Sequence, residues 1–350
     1  MKINKFSFFQ YSFKYKKTFD RNFSHLNRES ILVIIQMDTF YGVGEASPIK
    51  SICTESIKHV IWKLEEFKQS ILFDVEISLD ELLSIAKSNL FDTPSGLFAV
   101  ESALYDLIAK QKKVSISKFL NEGASNNLRI YDFYYNSFNL SKSLKNIKVK
   151  ISKKNIFKQY ELLENISKSI DSNYEIILDA NEIYDLPEAI RACKTFEDFN
   201  IKYIEQPINK KMFEDLSELR FHTEIPIALD ESIDSLESAE QAIELQAADI
   251  FIIKPMRIGS YQTVKKIINL AKSNNIKCIL THSFEGSIGV LHTAHWVSSF
   301  SIDEPCGIQM DYISQDQFNQ HLKHENGIID LKKYKNILFD MNDIVNDELI

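Results

Sequence analysis

The stretch YEIILD at residues 174–179 is a short apolar run that ends in a carboxylate. The same design, a β-branched run closed by a charged residue, recurs on both sides of it. The further runs are IKVK at 147–150, IKYIE at 201–205, IPIALD at 225–230 and IFIIK at 250–254. Runs of this length and composition are typical of strands that are buried on both faces of a parallel sheet.

Amphipathic stretches separate these runs, and such strand–helix alternation predicts parallel strands joined by crossover helices. A first strand at residues 129–131, another at 276–280 and an eighth near 306–310 would close a (β/α)₈ barrel, a fold of about 250 residues. An open doubly wound sheet would need a glycine-rich phosphate turn after its first strand, and no run is followed by one. We therefore predict an α/β protein with a barrel at residues 126–319.

Residues 1–125 follow a different pattern, with strands first and helices afterwards. Residues 2–11 and 30–37 read as strands, and helical periodicity follows at 55–67, 78–88 and 96–110. Blocks of this kind predict a small α+β capping domain, to which a tail at residues 320–350 is expected to return. The glycines of Gly42-Val43-Gly44 are predicted to form a hairpin or bend.

The composition excludes several classes of protein. The chain has 350 residues, 44% apolar and 26% charged, which is ordinary for a globular protein. Its formal charge of −8 disfavours sequence-independent nucleic-acid binding. Four cysteines lie far apart without disulfide or zinc spacing, and no apolar run could span a bilayer. We expect a cytoplasmic protein that binds neither nucleic acid nor a membrane and is a possible homo-oligomer.

Charged residues at the predicted strand ends are the informative feature. They lie 24 to 29 residues apart, one strand–helix unit each, and are Lys150, Asp179, Glu205, Asp230 and Lys254. They should therefore meet at the carboxyl face of the barrel, where active sites of this fold lie. The alternative is an ion-pair network across the barrel mouth without chemistry.

The residue types favour a metal-assisted reaction. Three neighbouring carboxylates, Asp179, Glu205 and Asp230, would repel one another unless a cation lies among them, and hard oxygen ligands suit Mg²⁺. Lys150 and Lys254 flank this cluster from opposite sides. Two lysines across a metal predict proton abstraction next to a carboxylate. We therefore expect an enzyme whose partner is a small-molecule carboxylate substrate.

The ordered motifs resemble those of the enolase superfamily, in its muconate-lactonizing-like branch. They are Lys148-Val149-Lys150, Asp179-Ala180-Asn181, Ile204-Glu205-Gln206-Pro207, Ala228-Leu229-Asp230-Glu231-Ser232, Ile253-Lys254-Pro255 and, in the capping domain, Gly42-Val43-Gly44-Glu45. Known sites of this superfamily use a Lys or His base with Mg²⁺. The resemblance implies that Asp179, Glu205 and Asp230 bind Mg²⁺, that Lys150 and Lys254 are the catalytic lysines, and that Lys148 supports them.

Within that branch the sequence is most similar to the o-succinylbenzoate synthase family. The similarity lies in Pro94-Ser95, in residues 283–289 and in Pro305-Cys306-Gly307-Ile308. It implies a syn dehydration of 2-succinyl-6-hydroxy-2,4-cyclohexadiene-1-carboxylate in menaquinone biosynthesis. Lys150 would remove the α-proton and protonate the departing hydroxide, while Lys254 stays cationic.

Other activities remain open, because Gly286 and His282 depart from the pattern on the substrate side. N-acylamino acid racemisation needs the same lysines. Dipeptide epimerisation does too, but its members usually carry Asp-x-Asp at the eighth strand, where this chain offers only Asp311. A catalytically inactive binding protein is a further alternative.

The resemblance also indicates residues on the substrate side. They are Ser283 and Glu285 in the seventh loop, Arg21 in a loop of the capping domain, and Asn181 after the third strand. His282 follows a strand directly and could contact the substrate. His292 and His295 have a spacing that can bind zinc, but positions on a helix face without a metal are favoured.

Overall fold

The computed structural model describes residues 1–16, 27–49, 55–133, 146–152, 155–170, 174–315, 318, 322–335 and 337. Within these residues, the strands are β1 Lys5–Tyr15, β2 Asn27–Met37, β3 Phe40–Ala46, β4 Asn127–Arg129, β5 Asp132–Phe133, β6 Asn146–Lys150, β7 Glu175–Asp179, β8 Ile201–Glu205, β9 Ile227–Leu229, β10 Ile250–Ile253, β11 Lys277–Leu280, β12 Ile313–Gln315 and β13 Ile328–Asp330.

The helices of the same residues are α1 Ile57–Ser70, α2 Leu79–Asn89, α3 Pro94–Lys112, α4 Ile116–Leu120, α5 Ile156–Ser169, α6 Leu186–Phe196, α7 Phe213–Phe221, α8 Leu236–Glu244, α9 Pro255–Ile258, α10 Tyr261–Ser273 and α11 Ser287–Ser299. A short 3₁₀ helix at Leu331–Tyr334 follows β13. None of the helices in the described part of the chain has the length and apolar character needed to cross a membrane.

The N-terminal unit is an antiparallel sheet covered by helices. Its strand order is β12-β1-β2-β3. Gly42 and Gly44 lie within β3, where an added Cβ would come within 1.9 Å of backbone oxygens of α3. The predicted hairpin or bend is therefore wrong: these glycines let a buried helix approach the strand closely.

The rest of the chain forms the predicted parallel sheet. Its order among the described strands is β11-β10-β9-β8-β7-β6-β5. The eighth position is a short segment in which Gly307 bridges Thr281 after β11, and Cys306 bridges Ile130 before β5. The sheet thus curls until both of its edges contact the same segment, as a barrel requires.

The first barrel strand lies later than the sequence predicts. Residues 127–129 pair with β13 in an antiparallel ladder, and the parallel pairing with β6 begins only at Asp132. The described part of the tail thus adds a strand just before the first barrel strand, at the end of the barrel opposite the charged strand ends. Its Leu331 amide donates to the carbonyl of Asn126. The domain boundaries at 125/126 and 319/320 stay a prediction.

Candidate active site

Strand register brings the charged strand ends to one edge of the sheet. Lys150 is paired with Asp179, and Asp179 with Glu205, in the parallel ladders of β6, β7 and β8. Asp230 and Lys254 each follow directly on the last residue of β9 and β10. The order of the strands therefore places the three carboxylates between the two lysines.

Lys148 holds two of the carboxylates together. Its Nζ lies 3.2 Å from Asp179 Oδ2 and donates to Glu205 Oε1 at 2.7 Å. Burial would lower the pKa of Lys148, but the Asp179 and Glu205 charges outweigh it and raise the pKa well above its usual value. The two ion pairs thus favour the cationic form of Lys148, which fits support rather than proton transfer.

Asp230 is held by two cations. Lys254 Nζ donates to its Oδ2, and Arg257 Nη1 donates to its Oδ1 at 3.3 Å. Burial raises the pKa of Asp230, yet Lys254 and Arg257 reverse the effect and hold that pKa below its usual value. Arg257 also donates to the Glu231 carbonyl, so it fixes the start of the loop after β9.

Several buried oxygens at this edge have no hydrogen-bond partner among the described residues. They include Asp179 Oδ1, Glu205 Oε2, Asn181 Oδ1 and Glu231 Oε2. Burial raises the pKa of Glu205, and the Asp179 and Asp230 charges raise it further against the opposing charge of Lys148. The site therefore has acceptor oxygens and negative charge that its own cations do not fully serve.

These orphaned oxygens fit a hard divalent cation such as Mg²⁺. In the described residues, however, no group of three or more acidic, His or Cys side chains is already arranged to hold a metal ion. The ammonium groups of Lys148 and Lys254 contact the carboxylates instead. Asp179 and Glu205 could each offer an oxygen directly, whereas Asp230 would have to exchange a lysine or arginine contact for the metal.

Two left-handed residues turn the chain immediately after the carboxylates. Asn181 has φ 43° and Gln206 has φ 39°, a conformation that costs energy for residues other than glycine. In this conformation the side-chain oxygen of Gln206 accepts hydrogen bonds from the backbone amides of Asp230 and Ser232 at 2.9 and 3.1 Å, which offsets that energy. Asn181 Nδ2 donates to Glu231 Oε1 at 3.2 Å, so the predicted substrate residue lies against a carboxylate of the next loop but one.

The seventh loop is closed by its own hydrogen bonds. Glu285 is fully buried, accepting from the Ser283 backbone and from Thr293 Oγ1 at 2.7 Å. Ser283 Oγ is buried and has no partner among the described residues. Glu285 thus shapes the loop in this structure, and its contact with substrate, like that of Ser283, stays a prediction.

The capping domain completes the helix that follows this loop. Glu45 of β3 accepts from the Gly286 and Gly289 amides at 2.6 and 2.7 Å. These are amides at the start of α11, whose own N-cap makes no side-chain bond. A carboxylate at this position accepts from amides that have no partner within the helix, and its charge interacts favourably with the helix dipole. The capping domain therefore fixes the position of the seventh loop.

Other predicted residues fall elsewhere. Arg21 lies outside the described residues. The rings of His292 and His295 are buried in α11, and each Nε2 contacts a backbone carbonyl, of Val43 and Tyr334 respectively. A carbonyl partner makes each Nε2 a proton donor, so Nε2 of neither ring is available as a metal ligand.

Sequence reasoning missed the role of Arg257 and that of Gln206. The signal for Gln206 was its place in the Glu-Gln-Pro motif. Arg257 lies in the short helix α9, and Lys254 is the residue that precedes this helix. Only the fold shows that both side chains contact Asp230.

The comparisons with known proteins agree with this architecture. Residues 139–334 match the family model described as Enolase C-terminal domain-like. The chain is 23% identical to the L-Ala-D/L-Glu epimerase of Francisella tularensis subsp. novicida over 86% of this chain and 88% of that protein. It is 25% identical to the o-succinylbenzoate synthase of Bacillus subtilis over 98% of this chain and 95% of that protein.

A solved structure shows the same fold. The dipeptide epimerase from Enterococcus faecalis, complexed with Mg and the dipeptide L-Leu-L-Tyr, matches with a TM-score of 0.84 at 19% identity. The match covers 94% of this chain and 97% of that one. Since the family model spans more than half of the sequence, and the fold and strand-end motifs agree with it, the chain belongs to the enolase superfamily.

Proposed function

We propose that this enzyme removes the proton from a carbon next to a carboxylate and returns a proton to the opposite face, as a racemase or epimerase of N-acyl amino acids or dipeptides. The observation that carries the proposal is the strand order, because Lys150 at the end of β6 and Lys254 directly after β10 flank the strands that carry the carboxylates. A base on each side is what inversion at a single carbon requires.

Asp179, Glu205 and Asp230 would hold Mg²⁺. When bound, the metal neutralises the substrate carboxylate and so makes the neighbouring proton more acidic. Lys148 stays protonated between Asp179 and Glu205 and keeps both carboxylates in position. When Lys254 leaves Asp230, the ion pair between Arg257 and Asp230 remains. The lysine can therefore turn to the substrate without leaving the buried Asp230 carboxylate unpaired.

The two lysines exchange roles with the direction of reaction. One, as the neutral amine, takes the proton from its side of the α-carbon. The other, as the ammonium, supplies a proton from the far side. Each turnover leaves the pair with its protonation reversed, and exchange with water restores the starting state.

A second candidate is the dehydration predicted from the sequence, and two observations favour it. The Bacillus subtilis o-succinylbenzoate synthase aligns with nearly the whole chain. In addition, the residue two before Asp311 is Gln309, whose amide donates to the Tyr131 carbonyl at 2.7 Å. This position thus offers no second carboxylate for a substrate ammonium. Similarity to epimerases stands against this candidate, and the exchange experiment below separates the two.

The test follows α-hydrogen exchange in D₂O with Mg²⁺, by NMR, for both enantiomers of N-acyl amino acids, for dipeptides and for the cyclohexadiene acid. We expect exchange with inversion for the wild type. Lys150→Ala and Lys254→Ala should each lose inversion by at least about 10³-fold while keeping exchange on one enantiomer only.

The control is Lys272→Ala, which removes an exposed lysine of α10 and should behave as wild type. Turnover of the cyclohexadiene acid alone, abolished by Lys150→Ala, would establish the second candidate. Full activity of Lys150→Ala and of Lys254→Ala would overturn the assignment of both lysines.

A further inference from the structure

His282 is a buried polar residue of the barrel mouth that the proposed reaction does not use. It follows Thr281 at the carboxyl end of the seventh strand position, and only 3% of it is exposed. Its backbone amide donates to Gly307 in the eighth position at 3.4 Å. The residue therefore lies on the same face of the barrel as the charged strand ends.

One edge of the imidazole is committed to the loop. The Phe284 amide donates to Nδ1 at 3.0 Å, so Nδ1 carries no proton and the neutral ring has its hydrogen on Nε2. Phe284 has φ 58°, and this bond supports that unfavourable conformation. The ring packs against Phe284 and Tyr312, with centroids 5.1 and 4.9 Å away. Its orientation is thereby fixed.

The other edge has a donor without an acceptor. Nε2 is buried and makes no hydrogen bond with any described residue. Burial lowers the pKa of His282, and the charges of Lys254 and Lys148 lower it further, to about 3. The ring therefore stays neutral at physiological pH.

These observations define what the donor lacks. A buried N–H without a partner among the described residues is unfavourable, and a bound ligand can supply the acceptor that it lacks. The positive potential of the lysines favours an oxygen with negative or partial negative charge at the same place. A neutral donor suits a carbonyl oxygen. The substrates of the proposed reaction have such an oxygen in the acyl group that is bonded to the amino nitrogen.

We propose that His282 is a specificity-determining residue whose Nε2–H donates to the acyl carbonyl oxygen of the substrate. The proposal rests on the proposed function for the class of substrate, and it adds the residue that recognises the acyl group. The ring selects amino acids whose nitrogen is acylated, because an unacylated one would leave the donor unsatisfied.

The test uses two substitutions that separate the two ring nitrogens. In His282→Asn the side-chain oxygen can replace Nδ1 as acceptor for the Phe284 amide, but nothing replaces Nε2. In His282→Gln the longer amide can place an N–H near the Nε2 position. Binding of N-acetyl-L-methionine is compared with that of N-thioacetyl-L-methionine by calorimetry with Mg²⁺, since sulfur is the weaker acceptor.

We expect the wild type and His282→Gln to bind the oxygen ligand about 10- to 100-fold more tightly than the sulfur ligand. His282→Asn should lose this preference while binding the sulfur ligand as the wild type does. A structural role of the ring would weaken both ligands equally, and an ordered water on Nε2 would leave all three proteins alike. Either result, or wild-type protein that binds neither ligand, overturns the proposal.

Failure of the proposed function is a separate result. It would appear as absence of α-deuterium exchange in every carboxylate tested, whereas the oxygen-to-sulfur preference is a binding measurement. An exchanging enzyme without that preference would keep the proposed function and remove the role of His282.

Discussion

The two halves of the charged row at the barrel mouth are built in opposite ways. On the β7–β8 side, one ammonium, Lys148, serves two carboxylates, and an oxygen of each is left without a partner. On the β9–β10 side, two cations, Lys254 and Arg257, serve the single carboxylate of Asp230. In ion-pair contacts, the first half has more carboxylates than cations, and the second has more cations than carboxylates. We therefore expect a metal ion to bind on the β7–β8 side and Lys254 to be released on the β9–β10 side.

The largest expected effect comes from breaking the cation-poor half. Among the described residues, Lys148 is the only cation in contact with Asp179 and Glu205. Lys148→Met therefore leaves the buried Glu205 and the partly exposed Asp179 without an ion-pair partner among those residues. We expect the free energy of unfolding in the presence of EDTA to fall by about 3–5 kcal/mol, measured with urea. Added Mg²⁺ should restore part of this loss, because it binds the folded state.

Lys272→Met on the exposed face of α10 is the matched control. A loss below about 1 kcal/mol for Lys148→Met would mean that the carboxylates are not a charged cluster dependent on this lysine.

A pH series distinguishes the halves directly. The pKa of Glu205 is raised in the folded state, so its favourable contribution is present below the unfolded value of about 4.3 and is lost as the pH rises. The pKa of Asp230 is lowered, so its contribution is present above about 3.9 and is lost as the pH falls. In EDTA, we expect Glu205→Gln to gain about 1–2 kcal/mol relative to wild type between pH 5 and 8.

Urea unfolding at each pH provides the measurement, and Glu214→Gln, at an exposed position in the first turn of α7, is the control. A difference between Glu205→Gln and wild type that does not change with pH would show that Glu205 titrates alike in the folded and unfolded chains.

The smallest effect is expected in the cation-rich half. Arg257→Lys keeps the charge but cannot hold Asp230 and the Glu231 carbonyl together, because an ammonium lacks the planar fork of guanidinium. We expect kcat/KM to fall about 10-fold and the free energy of unfolding to fall by about 0.5–1 kcal/mol. Arg191→Lys on exposed α6 is the control. A loss of stability as large as that of Lys148→Met would contradict the surplus of charge.

The strand ends were predictable because a parallel sheet repeats its own geometry. Asp179, Glu205 and Asp230 each follow an apolar run, and the distance between the runs is one strand–helix unit. Any chain with that period brings such residues to the same edge. The curled parallel sheet and the separate antiparallel sheet are therefore as the sequence predicts, whereas the first strand shifts because β13 competes for residues 127–129.

The substrate-side residues were less predictable, because loops have no such period. Glu285 reads as a substrate residue in the sequence, yet its carboxylate is bound to Ser283 and Thr293 in the same loop and helix. The predicted choice of dehydration over epimerisation depends on this side, and the similarity to epimerases now favours the latter as the proposal.

The sequence by itself determined the spacing of the charges, and with it the class of site, because spacing along the chain becomes position along a parallel sheet. Only the tertiary structure decided which charge contacts which. Lys148 could reach either neighbour, Arg257 carried no signal, and His282 was a lone histidine until its Nδ1 was seen to accept from Phe284. Such contacts depend on side-chain directions across strands and loops far apart in the chain, which no local pattern encodes.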